Sequence, residues 1–322
     1  MRRVCQHLYR AFSGFVIAIT LISLISIFLA QFANAAETTS YTATLTATTA
    51  GGLTPVLKLP ARSMAAGDKL LVTARLAGKT NAVRMPRMAI RVDATGAATL
   101  RSPVGAINHL GKASGTQYVT VRWLLVAPVD GTYVITARAE ATTYVAPIAT
   151  TRLAVVRDST YLKVSPAPAG SVQWGEAAKD CVGRKAITAI PQCKVARTLT
   201  TAVPKVVNVA RSTKTTVLAD LELSREYGNY PRGISMVDIT LGATPASTSG
   251  KACAATVKKT VRRSIISTRH HWRENLTLTD LKTTCGTHLR VSATVKHVSG
   301  NPVTIENQTQ TNAIALVTAV AA

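Results

Sequence analysis

Period-two alternation is the pattern that most narrows what this chain can fold into. The run Thr42-Ala43-Thr44-Leu45-Thr46-Ala47-Thr48 alternates β-branched polar residues with small or apolar ones, and successive side chains of a strand point to opposite faces. Similar alternation recurs in short runs at 69–77, 88–92, 117–126, 132–139, 217–224, 236–241 and 287–297. Turn signals separate them, among them Ala66-Gly67-Asp68, Thr95-Gly96, Val129-Asp130-Gly131 and Ser299-Gly300-Asn301-Pro302. Threonine outnumbers Asp and Glu together by about three to one, and β-branched residues suit a pleated, half-buried surface. Helical periodicity is nearly absent beyond residue 36. The expected fold class is all-β, made of antiparallel β-sandwiches.

The first 36 residues follow a different rule. Arg2, Arg3 and Arg10 precede an uncharged, mostly apolar run at 15–30, and Ala33-Asn34-Ala35 supplies a small-x-small site. That order of charge, apolar segment and cleavage site reads as a Sec-type signal peptide spanning 1–35, cut before Ala36. An uncleaved anchor is the alternative, but a spanning helix wants about 20 predominantly apolar residues and this run is shorter. The expected location is therefore secreted, or held at the cell envelope. Arg2-Arg3 alone is a weak twin-arginine signal.

About 287 residues after cleavage exceed the usual size of one sandwich. Two domains are expected, 36–156 and 157–322, with the seam at Val156-Arg157-Asp158-Ser159. The Pro-rich turn Ser165-Pro166-Ala167-Pro168-Ala169-Gly170 is the alternative joint. Cys5 leaves with the signal peptide, and Cys181, Cys193, Cys253 and Cys285 remain, all in the second half. An even count in an oxidising compartment points to disulfides rather than metal ligands or a catalytic thiol. Four cysteines allow three pairings; the sequence-local one, Cys181 with Cys193 and Cys253 with Cys285, is preferred, at roughly 3 and 4 kcal/mol of loop-closure stabilisation.

One motif carries a family resemblance. Ala127-Pro128-Val129-Asp130-Gly131-Thr132-Tyr133-Val134-Ile135-Thr136-Ala137 resembles the turn and penultimate strand of bacterial immunoglobulin-like and fibronectin-III-like domains of secreted or cell-surface proteins. The resemblance covers 38–156 and implies a tyrosine corner at Tyr133, its ring buried and its hydroxyl bonded to nearby backbone. It implies an adjacent core strand at 118–126 containing Trp123. This half has no cysteine pair, so an antibody-type domain is not implied. In the second half, Cys285-Gly286-Thr287-His288-Leu289-Arg290-Val291 is loosely similar to a cysteine-bearing sandwich strand, with Cys253 as partner.

Charge supplies the candidate binding surface. Lys and Arg number 38 against 15 Asp and Glu, a formal net charge of +23; losing Arg2, Arg3 and Arg10 with the leader makes that 35 against 15. The densest stretch holds Lys258, Lys259, Arg262 and Arg263, then Arg269, Trp272 and Arg273. Such a surface attracts an anionic polymer or glycan, or an anionic membrane or envelope surface. The competing account is a generally basic coat, with Trp272 in the core. A second candidate is the loop Tyr227-Gly228-Asn229-Tyr230-Pro231-Arg232-Gly233, where Tyr227, Tyr230 and Arg232 have the chemistry of a glycan- or peptide-binding loop, although the same composition also makes a long hairpin turn.

Catalytic signals are poor. Asp220 and Glu222 lie two apart on a strand and share a face, as glycosidase carboxylates can, yet same-face acids on an exposed strand are commonplace. His270 and His271 are adjacent and would point to opposite faces, and no H-E-x-x-H or C-x-x-C context exists, so no metal site is expected. No G-x-S-x-G, P-loop, dinucleotide fingerprint or EF-hand is present, and no cofactor is implied. Asn275-Leu276-Thr277 and Asn307-Gln308-Thr309 fit the glycosylation sequon.

The sequence thus supports a secreted or cell-surface, non-catalytic binding or adhesion protein, with a glycan, an anionic polymer or another surface protein as partner. The alternatives are a secreted hydrolase with an unrecognised site, or a structural envelope spacer. Processing is directly testable: intact mass of the exported protein is expected to show an amino terminus at Ala36, and a full-length membrane-embedded product would refute the leader reading.

Overall fold

The structure is a computed structural model, and it describes residues 37–40, 44–46, 52–80, 87–109, 115–142, 152–176, 180–182, 195–196, 200–209, 214–225, 234–266, 269–283, 285–300, 303–305 and 315–321. The expected signal-peptide segment 1–35, Cys193, Tyr227, Tyr230 and Arg232 lie outside these. Among the described residues no helix is long and apolar enough to cross a membrane.

The first half contributes β1 (Glu37–Ser40), β2 (Thr44–Thr46), β3 (Thr54–Lys58), β4 (Arg62–Met64), β5 (Lys69–Thr80), β6 (Arg87–Gly96), β7 (Leu100–Arg101), β8 (Gly105–His109), β9 (Gln117–Val126), β10 (Gly131–Thr142), β11 (Arg152–Val155) and β12 (Tyr161–Pro166). The second contributes β13 (Val172–Glu176), β14 (Asp180–Val182), β15 (Val195–Ala196), β16 (Thr200–Asn208), β17 (Thr215–Arg225), β18 (Ile234–Ala246), β19 (Val257–Ile266), β20 (Arg269–Leu281), β21 (His288–Ser299), β22 (Val303–Ile305) and β23 (Ala315–Ala321). The chain is all-β, and nearly every described pairing is antiparallel, β14 with β15 being parallel.

In the first half, a sheet containing β12, β5, β9 and β11 faces one containing β8, β6, β10 and β3. Alternation delivers the facing apolar rows. Val72, Ala74 and Leu76 of β5, Val119, Val121 and Leu125 of β9, and Tyr133, Ile135 and Ala137 of β10 are all buried in one cluster with Trp123. At about 25 cal/mol per Å² of apolar area, such rows are the main stabilising contribution. Tyr133 is wholly buried, and its hydroxyl donates to the Val129 carbonyl at 2.9 Å. That is the corner geometry implied by the motif. Beside it, Gly96 has φ 137° and opposes Tyr133 in the β6–β10 ladder. A Cβ there would lie 2.1 Å from the Thr132 carbonyl oxygen, so only glycine fits.

The expected seam at 156–159 is a 3-10 turn between two strands of one sheet. Both β11 before it and β12 after it pair with β5, so the chain changes sheet only past Pro166. There Lys69 Nζ donates to the Ser171 carbonyl at 2.8 Å, tying the Pro-rich turn to β5.

In the second half, β16-β21-β18-β19 form a four-stranded sheet over β17, β20, β22 and β23. Its core gathers Val237, Ile239, Leu241, Val291, Ala293, Val295, Leu221, Leu223 and Trp174. Pro204 sits at a register shift in β16, the sheet's edge, where a missing N–H is tolerated. Cys253 and Cys285 form a disulfide, as expected. Cys181 lies on β14, and its expected bond to Cys193 falls outside the described residues.

The halves are continuous. β8 pairs with β6 on one side and with β20 on the other, so one 13-stranded sheet runs through both, and Thr38–Ala322 form one compact unit with two apolar cores.

Tyr133→Phe keeps the ring and removes the corner hydrogen bond. Urea unfolding is expected to show a loss of about 1 kcal/mol with an unchanged denaturant slope; no loss would mean that the hydroxyl contributes nothing.

Candidate functional site

Two polar constellations emerge, one buried and one on the surface. The buried one lies where β9 meets β17, β20 and β13. On β17 the apolar residues Val217, Ala219, Leu221 and Leu223 enter the second core, which turns Leu218, Asp220, Glu222 and Ser224 to the opposite face. Alternation alone would put that face in water. Here the first half covers it, and Asp220 and Glu222 are each only 2% exposed.

Each acid is taken up by bases and backbone. Arg122 on β9 donates through Nε to Asp220 Oδ1 at 2.7 Å, and its backbone N–H donates to Oδ2 at 3.0 Å. Its remaining nitrogens reach the Ala219 and Leu276 carbonyls and the Thr277 hydroxyl at 2.8 to 2.9 Å. Asn275 donates to Asp220 at 2.7 Å, which commits the amide of the first sequon inside the fold. Arg273 reaches the Thr120 carbonyl at 2.6 Å and lies 3.5 Å from Glu222, which accepts the Ala106 N–H at 3.1 Å. Gln173 from β13 accepts from the Leu124 N–H at 3.2 Å and donates to the Arg122 carbonyl at 3.3 Å. Its amide thus stands against β9 as a peptide unit of a neighbouring strand would.

The outer edge of β9, which pairs with no strand among the described residues, is therefore capped by side chains at Thr120, Arg122 and Leu124. Gly105 makes room for this: a Cβ there would lie 2.6 Å from Val121 and 3.0 Å from Arg273 Nε. Two arginines face two acids: both Asp220 oxygens and Glu222 Oε2 accept hydrogen bonds, while the Arg273 terminal nitrogens lie 3.9 Å from Asp220 and 3.5 Å from Glu222 as ion pairs. The arrangement holds the halves together. The expectation of an exposed carboxylate pair at 220 and 222 is corrected: the pair shares a face, but that face is interior.

The surface constellation is the outer face of the four-stranded sheet. Register sets Arg262, Asp238 and Lys296 in one row, Thr260, Thr240 and Thr294 in the next, and Lys258, Gly242 and Ser292 beyond it, with Thr244 beside Arg290 further on. Lys258, Arg262, Arg290 and Lys296 are exposed, and Asp238 is the one acid in these rows. Thr240 and Thr260 share a hydrogen bond at 2.8 Å. Arg262 grips Asp238 through two bonds of 2.8 and 2.9 Å. That hydrogen bonding holds the Asp238 carboxyl below its ordinary range against partial desolvation, with the charges of Arg262 and Lys296 adding to the effect.

The basic segment expected at 258–273 is divided by the alternation of its own strand. Lys258 and Arg262 join the outer face. Lys259 and Arg263 point the other way, and Arg263 reaches Glu274 at 2.6 Å, an acid that also accepts from Trp272 Nε1 at 3.0 Å. Trp272 is packed partly against the second core. Arg273 has a side chain 1% exposed, so no surface ligand touches it. Arg269 pairs its backbone with His109. The sequence reading overlooked Arg290, Lys296 and Asp238. Their signal was present in the alternating polar positions 290, 292, 294 and 296 of β21, but only register shows them beside β19.

Among the described residues no group of three or more His, Cys, Asp or Glu side chains could hold a metal ion.

No family model matches the chain, and no curated protein does. Solved structures with some similarity include the CBM22-1–CBM22-2 tandem domain of Paenibacillus barcinonensis Xyn10C, at 9% identity over 88% of this chain and 92% of that one, TM-score 0.22. The T13 particle of infectious bursal disease virus aligns at 13% identity over 89% and 72%, TM-score 0.24. The stem and receptor-binding domain of spike protein P1 from bacteriophage PM2 aligns at 8% over 88% and 98%, TM-score 0.22. Similarity at this level shows no common framework, and no functional argument rests on it.

The buried constellation predicts a large mutational effect. Arg122→Ala leaves Asp220 buried without its main partner and is expected to cost about 3–5 kcal/mol in urea unfolding, whereas exposed Lys163→Ala stays within about 0.5 kcal/mol. A loss under about 1 kcal/mol for Arg122→Ala would refute the capping role.

Proposed function

We propose that the chain is an exported, non-catalytic binding protein that uses the outer face of its four-stranded sheet to hold an anionic polymer or acidic glycan at the cell surface or envelope. One observation carries this reading: four bases, Lys258, Arg262, Arg290 and Lys296, share that face with a single acid, Asp238, around a floor of Thr and Ser hydroxyls. A flat polar surface of one sign suits a long ligand whose charges recur, since each neutralised site releases condensed counterions. Hydroxyls on a rigid sheet supply hydrogen bonds at little entropic cost.

The leader motif supports export, and the 127–137 motif with its tyrosine corner supports an immunoglobulin-like first half. The buried commitment of Asp220 and Glu222 removes the one carboxylate pair that favoured a hydrolase.

Binding of a duplex DNA probe, used as a standard polyanion, tests the face. Affinity is expected to fall with salt at a log–log slope near −0.9 per phosphate contacted. Serine at 258, 290 and 296 is expected to flatten that slope by about two to three units. Serine at Lys58, Arg101 and Lys163, exposed bases of the first half, is expected to leave it nearly unchanged. Equal losses from both sets would reduce the effect to net charge and overturn the assignment.

A further inference from the structure

The sheet that carries this face ends on β19, and the edge has its own chemistry. β19 pairs with β18 through ten consecutive residues without a bulge, from Val257 opposite Ala243 to Ile266 opposite Ile234. Among the described residues nothing pairs with its other side. An edge this long and regular presents a row of backbone donors and acceptors to any extended chain. Residues 257–260 are exposed on both faces of the sheet, because the opposing sheet does not reach them. A strand added there would have room for side chains above and below.

Charge decides which strand. In an antiparallel pairing of two β19 edges, residues directly opposite one another share a face of the sheet, so the pairing centres on a residue. Centring it on Thr260 sets Lys258 against Arg262, and centring it on Val261 sets Lys259 against Arg263. Like charges directly opposite destabilise a strand pair, so a second copy of this chain is refused in both registers. Arg262 and Arg263 are held by Asp238 and Glu274. Lys258 and Lys259 lie at the open end, on opposite faces.

We propose that the free edge of β19 accepts an extended acidic segment of a partner protein by strand addition, with Lys258 and Lys259 selecting acidic side chains on either face. Backbone pairing supplies affinity and the flanking side chains supply selectivity. This inference stands apart from the polymer-binding face, since it needs the edge's backbone groups and not the row of outer-face bases.

The experiment uses the full mature chain and a capped ten-residue peptide in which a central run of four glutamates, presenting acids to both faces, is flanked by valines. The peptide is compared with the same sequence N-methylated at every residue, which keeps its charge and deletes the donors of both edges. The unmodified peptide is expected to bind at least tenfold more tightly. Equal affinities would mean charge-driven adsorption only, and overturn strand addition while leaving the polymer-binding face intact; absence of binding would overturn it as well. Independently, Lys258→Glu with Lys259→Glu places acids opposite Arg262 in the register centred on Thr260 and opposite Arg263 in the one centred on Val261. Sedimentation equilibrium is expected to show the double variant at a higher mass than the wild-type chain, and an unchanged mass would refute charge as the gatekeeper.

Discussion

The buried hydrogen bonds that Arg122 and Asn275 give to Asp220, that Arg273 gives to the Thr120 carbonyl and that Glu222 takes from the Ala106 N–H are the interactions on which the rest of the molecule depends. The two sandwiches have separate apolar cores, with a small third cluster of Ala89, Val104 and Ala106, so their relation is set at the seam between them. What fixes them is that β9 presents an edge of backbone groups paired with no strand among the described residues, and a buried peptide group left unpaired costs several times what a made hydrogen bond contributes. Asp220, Gln173, Arg273 and Asn275 meet that demand from three strands of the second half. Charged groups serve because each accepts or donates several bonds at once. They also make the arrangement intolerant: removing one leaves the others buried and unbalanced, so these residues act as a set.

The surface properties follow from this. Because Asp220, Glu222 and Arg273 of β17 and β20 are buried against the first half, the described residues of the second half present the outer face of β16-β21-β18-β19, with the edge of β19 beside it. The bases there would repel one another if packed more closely. The strand alternation spreads them, and Asp238 and Glu274 damp the two arginines nearest the core. What remains unneutralised is a broad field of Lys258, Arg290 and Lys296 with hydroxyls between them.

Much of this was legible in the sequence. The runs at 69–77, 117–126 and 217–224 fall within β5, β9 and β17, since period two survives wherever one face enters a core. The Asp-Gly-x-Tyr turn announced the buried Tyr133, and the Cys253–Cys285 pair followed from count and spacing. The role of Asp220 and Glu222 was not legible. Alternation tells which residues share a face, and it is silent about what covers that face; the cover, Arg122, lies 98 residues away from Asp220. The same limit hid Arg290 and Lys296, which join Lys258 only through the register of β18. Local charge density drew notice to 258–273, where Arg273 is the most buried of the bases, because clustering in sequence and clustering in space diverge on a strand.

The capped edge of β9 also governs how the molecule answers a pull. Apolar packing resists separation gradually, since surfaces can slide past each other while still excluding water. Hydrogen bonds to charged groups keep most of their strength over only a fraction of an ångström and fall away steeply beyond it. A joint closed mainly by such bonds, with two residue pairs of β8 and β20 as its ladder, is stiff under small loads and brittle at its limit. Water entering the gap would solvate Asp220 and Arg122 and lower the work needed to open it further. In a tethered chain under flow, this seam between the cores would yield first and each sandwich would remain folded, so that a load on the chain lengthens it before it denatures either half.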